Sequence, residues 1–174
     1  METNDISTKK YIIKYGLISG IAWIALGIIR YLTIGTSDSH WLFSIIELVI
    51  HITPIFFGIR EYRLANSGFL KYGAALKIGF CIALIGCFIS IIWDVLLLNL
   101  IEPNMMNQRL ESQRQQMILD NPGLTLKEVH QEMAVIEKYS YSYIRYIILL
   151  TWRLSLGFIF SLIAGAIMHK KQNL

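Results

Sequence analysis

Four long apolar runs, each close to uncharged, divide the chain: Tyr15 to Ile34, Trp41 to Ile59, Ile78 to Ile101 and Tyr143 to Met168. Each supplies the roughly 20 residues that a helix needs to cross a hydrocarbon core. The runs are continuous rather than alternating, and an open sheet in lipid would leave edge amides and carbonyls without partners. The pattern predicts an all-α integral membrane protein, one membrane domain over residues 1–174 with four transmembrane helices at 15–34, 41–59, 78–101 and 143–168.

Between the third and fourth runs the periodicity changes. Residues 102–142 form the one sizeable polar segment, and they carry the start and stop signals of two helices. Pro103 suits a helix start, a polar helix is predicted over about Asn104 to Leu119, and Asn121-Pro122-Gly123 ends it. Thr125 followed by Glu128 predicts a capping box, in which each side chain satisfies a free backbone N–H at the next helix start. Leu126, Val129, Met133 and Ile136 fall on one face of that second helix. A helical hairpin with one apolar side follows. Its apolar stripe is expected to dock on the bundle, on the membrane surface or on a partner.

Composition agrees with a bilayer as the surroundings. Of the 174 residues, 55% are hydrophobic and only 16% charged, and a soluble domain of this length has too little interior to bury four such runs. The net charge of +4 does not indicate nucleic acid, because the Lys and Arg residues flank apolar runs instead of forming a basic face. Lys9, Lys10, Lys14, Arg60, Arg63, Lys71, Lys77, Lys170 and Lys171 fall on one side of the bilayer. Arg109, Arg114, Lys127 and Lys138 fall on the other, diluted by six acids. That bias of nine to four predicts cytoplasmic termini and an extracytoplasmic hairpin. Tyr11, Tyr15, Tyr62 and Tyr72 at one border, and Tyr31, Trp41 and Tyr143 at the other, are expected to form aromatic belts.

The N-terminal lysines precede a run of full membrane length with no small-x-small cleavage site, so the first helix is expected to remain uncleaved. Cys81 and Cys87 lie six residues apart in one run, on different helix faces, and read as small packing residues. Gly16 and Gly20, Gly79 and Ala83, and Gly157, Ser161 and Gly165 recur at helical spacing. Such small residues let helix backbones approach closely, and they are expected to pack the bundle internally.

Five ionisable residues inside the runs are singled out: Arg30, Glu47, His51, Asp94 and Arg153. Charge is costly in a bilayer, so these mark the candidate intramembrane polar cluster. At about 1.5 Å per residue, Arg30, Glu47, Asp94 and Arg153 all fall in the outer half. Their charges cancel, and an ion pair of Asp94 with Arg153, or of Glu47 with Arg30, is expected. The cluster reads either as a structural network holding four helices in register or as an outward-facing cavity for a small polar ligand. Glu47 and His51 share a helix face but supply only two ligands, so no metal site is expected. No phosphate-binding glycine loop and no nucleophile elbow occurs, and neither catalytic nor cofactor-binding residues are assigned.

Tyr72-Gly73-Ala74-Ala75-Leu76-Lys77-Ile78-Gly79-Phe80, followed by Ile101-Glu102-Pro103 and a 41-residue insert with its Glu137-Lys138 ending, resembles domain-of-unknown-function family 4199. The likeness extends over nearly the whole chain. It implies four membrane helices in small bacterial inner-membrane proteins, and it brings no activity, cofactor or functional residue. The expected function is that of a non-enzymatic structural or interaction protein, whose partners are the lipid bilayer and another membrane protein or a second copy of itself. A small oligomeric transporter or ion-coupled channel around the outer-half cluster is the competing expectation.

Overall fold

A computed structural model describes residues 7–34 and 41–169. The helices in order are α1 (Lys9–Ile34), α2 (Trp41–Ala65), α3 (Tyr72–Leu96), α4 (Met105–Asp120), α5 (Leu126–Ser140) and α6 (Ile144–Met168), and no strand occurs among the described residues. Residues 35–40 and the lysines at 170 and 171 lie outside them. α1, α2, α3 and α6 are long and apolar enough to cross a membrane, and large apolar side chains such as Ile21, Leu32, Trp152 and Ile167 stand exposed around them. These four helices mark a membrane-embedded protein. α1, α2 and α3 outrun the apolar runs that predict them, because an apolar run marks the hydrocarbon span while the helix continues through the polar border beyond it.

α3 packs on both α1 and α6, and α2 packs against all three, so α1 and α6 occupy opposite corners. One end of the bundle, the terminal end, carries the start of α1, the α2–α3 connection and the end of α6. The other is the hairpin end. Toward the terminal end the packing is tight and glycine-dependent. A Cβ on Gly16 would stand 2.8 Å from the Cβ of Ile85, Gly79 faces the Ser161 side chain and Ile55, Gly157 faces Ala83, and Gly165 faces Ala75. The small-residue stripes therefore act within the chain. Ile55, Ile59, Ile78 and Ile82 fill the space between them.

Three of the four tyrosines named for the terminal end depart from the belt expectation. Tyr11, Tyr15 and Tyr62 are buried in the core, with the Tyr11 and Tyr62 rings edge to face at 5.8 Å, and Tyr72 stacks on His169 at 4.3 Å. Beside them the Lys14 ammonium meets the Glu61 carboxylate at 2.8 Å and ties α1 to α2.

α3 ends in a wider π-helical turn, Leu97–Ile101, closed by the Glu102 N–H donating to the Leu97 carbonyl at 2.8 Å. The hairpin of α4 and α5 follows. Both halves of the capping box are present: the Glu128 N–H donates to Thr125 Oγ1 at 3.4 Å and the Thr125 N–H to Glu128 Oε2 at 2.8 Å. That backbone donor, with the Thr125 hydroxyl, holds the Glu128 carboxyl below its ordinary range. Val129 and Met133 pack on Met106 and Leu110 of α4, so most of the apolar stripe is consumed inside the hairpin. Leu126 is the exception, 81% exposed. As the first residue of α5 it lies at the tip, where α4 has already ended.

Candidate functional site

Toward the hairpin end, larger and polar side chains meet between the helices, and Gly27 makes room for Trp93. Trp23, Leu26, Gly27 and Arg30 on α1, and Ser90, Trp93, Asp94 and Leu97 on α3, follow the i, i+3, i+4, i+7 spacing that aligns residues along one helix face. Those two faces, with Glu47 from α2, Leu149 and Arg153 from α6, and Met105 and Arg109 from α4, line a partly open chamber of about 250 Å³. The hairpin is its roof. Tyr31, also on the wall, donates its hydroxyl to Glu102 at 3.4 Å where the chain enters α4.

Arg30 and Glu47 meet as their positions predict, Nη1 to Oε1 at 3.1 Å, and join α1 to α2. The expected pair of Asp94 and Arg153 is not formed. Asp94 instead faces Arg145, Oδ2 to Nη2 at 3.8 Å. Arg153 donates to the Ser90 hydroxyl, and its guanidinium lies 3.6 Å over the Trp23 ring. The reason is the stagger of the two helices. α6 runs antiparallel to α3, so Arg145 reaches Asp94 near the hairpin while Arg153, two turns farther along α6, meets Ser90, one turn farther from the hairpin along α3.

His51 lies outside the chamber wall. It is buried, four residues along α2 from Glu47, and its Nε2 has no hydrogen-bond partner among the described residues. Gly157 leaves room beside it, since a Cβ there would stand 3.6 Å from Nε2. The cluster thus brings Arg30, Glu47, Asp94 and Arg153 to one chamber, and His51, though off its wall, stands against Arg153. Among the described residues, no group of three or more His, Cys, Asp or Glu could hold a metal ion.

Arg145, Arg109, Ser90, Trp23 and Trp93 belong to this region and are absent from the sequence-based cluster. For Arg145 a signal exists: with Leu149 and Arg153 it repeats every four residues on α6. Arg109 sits in the polar segment, where nothing local distinguishes a side chain facing the bundle from one facing water. Trp93 fits because Gly27 has no side chain, for a Cβ there would strike the indole nitrogen. That Nε1 has no hydrogen-bond partner among the described residues.

Comparison with known proteins adds one finding. The model of the family described as Protein of unknown function (DUF4199) matches residues 14–170, nearly the whole chain. No curated protein and no solved structure matches it.

Proposed function

The chain belongs to the DUF4199 family, and we propose that it is a non-enzymatic, multi-pass protein of a bacterial inner membrane that acts through its hairpin on another membrane component. The observation that carries this reading is the construction of the hairpin. It is a closed module with its own apolar seam, a capped second helix and attachments to the bundle at Met105, Arg109 and the Tyr31–Glu102 hydrogen bond. Its tip still presents Leu119, 79% exposed, and Leu126 to the surroundings. Paired apolar side chains on either side of a turn suit a contact surface. The charge bias of nine to four supports cytoplasmic termini and a hairpin outside them.

The test is co-purification in mild detergent, read by mass spectrometry, from cells carrying the natural chain or Leu119→Ser with Leu126→Ser. The reading expects a reproducible partner that the tip variant loses while the bundle keeps its thermal stability. An identical set of proteins from both chains would defeat it.

The chamber favours a second reading, a small oligomeric transporter or ion-coupled channel. Ile55, Ile59, Ile78 and Ile82 are packed on the terminal side of the chamber, so conduction through one chain requires them to part. Ion flux in reconstituted vesicles, compared between the natural chain and Arg153→Gln, separates the two readings. A flux abolished by the substitution favours transport.

A further inference from the structure

The two corner helices are enclosed to different degrees: 39% of the apolar stretch of α1 is buried in the bundle against 17% of that of α6. Trp152 stands on the outer surface of α6, 64% exposed. It lies about 12 Å past Ile144, the first residue of the helix, at about 1.5 Å per residue. Tryptophan ordinarily sits at a membrane border, where its N–H meets water or headgroups. Of the four tryptophans, Trp41 begins α2 and Trp23 and Trp93 line the chamber, so Trp152 alone faces outward from within a span. Its indole N–H makes no hydrogen bond among the described residues. An indole can only donate, and hydrocarbon offers it no acceptor.

The same surface carries acceptors. Phe80 of α3 and Thr151, Leu154, Ser155, Phe158 and Ile159 of α6 line an open groove of about 480 Å³. Thr151 Oγ1 donates to the Ile147 carbonyl and Ser155 Oγ to the Thr151 carbonyl, each at 2.8 Å. With their protons engaged, both hydroxyl oxygens keep lone pairs for a further donor. Within one chain the donor and these acceptors do not meet. At 3.6 residues per turn Trp152 stands about 100° round the helix from Thr151, on the flank away from α3, while the groove lies on the flank beside α3.

Two copies inserted the same way in a membrane are related by a two-fold axis along its normal, which keeps each residue level with its counterpart. With α6 facing α6 across that axis, the Trp152 flank of each copy is set against the groove flank of the other, at the level of Thr151 and Ser155. One face thus supplies both halves of a self-complementary contact: a ring with a free donor, and an aromatic-walled groove with free acceptors. A lipid chain in the groove leaves the indole without an acceptor. We propose that α6 is the surface through which two copies of this chain associate in the membrane, Trp152 of each seated in the groove between α3 and α6 of the other and its indole N–H donated to the Thr151 or Ser155 hydroxyl. Phe80 and Phe158 border the seated ring, and interhelical hydrogen bonds and close packing are what hold helices together in lipid. The contact involves neither the chamber nor the hairpin tip, so it stands apart from both functional readings.

The experiment reconstitutes the full chain, labelled once at its N-terminus, in liposomes over a range of protein-to-lipid ratios and counts chains per spot by single-molecule photobleaching. The variants are Trp152→Ala, Trp152→Phe, which keeps an aromatic ring but loses the donor, and Ile21→Ala, an equally exposed position on α1, as control. Thermal stability in detergent verifies that each variant folds, and if Trp152→Ala does not, Trp152→Phe decides. The proposal expects a monomer–dimer equilibrium whose midpoint density rises about tenfold in Trp152→Ala and about threefold in Trp152→Phe, and stays in place in Ile21→Ala. Thr151→Ala with Ser155→Ala should weaken association in the natural chain and add nothing to Trp152→Phe, since donor and acceptors form one contact. A natural chain that is monomeric at every ratio leaves the groove to lipid and overturns the proposal, as does an assembly whose midpoint is the same with and without the Trp152 substitutions.

Discussion

Near the terminal end α3 meets α6 through Gly79 against Ser161, with no room for even a methyl group, whereas near the hairpin the same two helices meet through Asp94 and Arg145 at 3.8 Å. Lipid tails are as apolar as leucine, so helices gain little by hiding leucine from them and associate through close packing and polar contacts. The first means excludes space. The second holds helices apart by the length of their side chains, and a chamber opens between them. One pair of helices thus provides a rigid base and a polar cavity within a single span.

The largest effect is expected from breaking the base. Gly79→Val drives a branched side chain into Ser161 and Ile55 and should cost about 3 kcal/mol, read by denaturant unfolding in detergent. A loss well under that would mean that the terminal end is looser than its contacts imply. At the hairpin end, Glu47→Gln removes the ion pair with Arg30. The two side chains are 36% and 27% exposed, so the loss should be about 1 kcal/mol, well below that of a fully buried pair. Adding Arg30→Gln should recover part of it, and strictly additive losses would contradict direct pairing. Asp94→Asn should cost about 0.5 kcal/mol, because its contact with Arg145 is longer and 39% of its side chain is exposed.

The smallest effect sharpens the contrast through pH. Glu128 is held below its ordinary carboxyl range by the Thr125 backbone N–H, so its contribution to the hairpin is complete above that ordinary value. It is lost as pH falls through the lowered value of the folded state. Amide exchange in α5 should therefore quicken on acidification, and Thr125→Ala should remove most of this dependence. A response of the same size around Gly79 would deny that the two ends are independent.

The four long helices were legible because a membrane span needs only length and apolarity, both local properties. The hairpin was legible for a similar reason, since Asn121-Pro122-Gly123 and the Thr125–Glu128 box act within a few residues. The relative level of the helices was not. The pairing of Arg30 with Glu47 follows from the depths of neighbouring helices, but the choice of Arg145 over Arg153 by Asp94 depends on how α6 is staggered against α3. The tyrosines of the terminal end show the same limit. Their sequence position fits a membrane border, while their burial is set by which faces of α1 and α2 meet.

The most direct test of the account is which side of the membrane carries the hairpin and the chamber beneath it. Single cysteines replace the exposed residues Gln113 and Ser67, each in a background with Cys81→Ala and Cys87→Ala, and intact cells are treated with a membrane-impermeant thiol reagent. The cysteine at 113 should react at once, and the one at 67 only after the membrane is permeabilised. Labelling at 67 with protection at 113 would invert the protein in its membrane and contradict the outward-facing chamber.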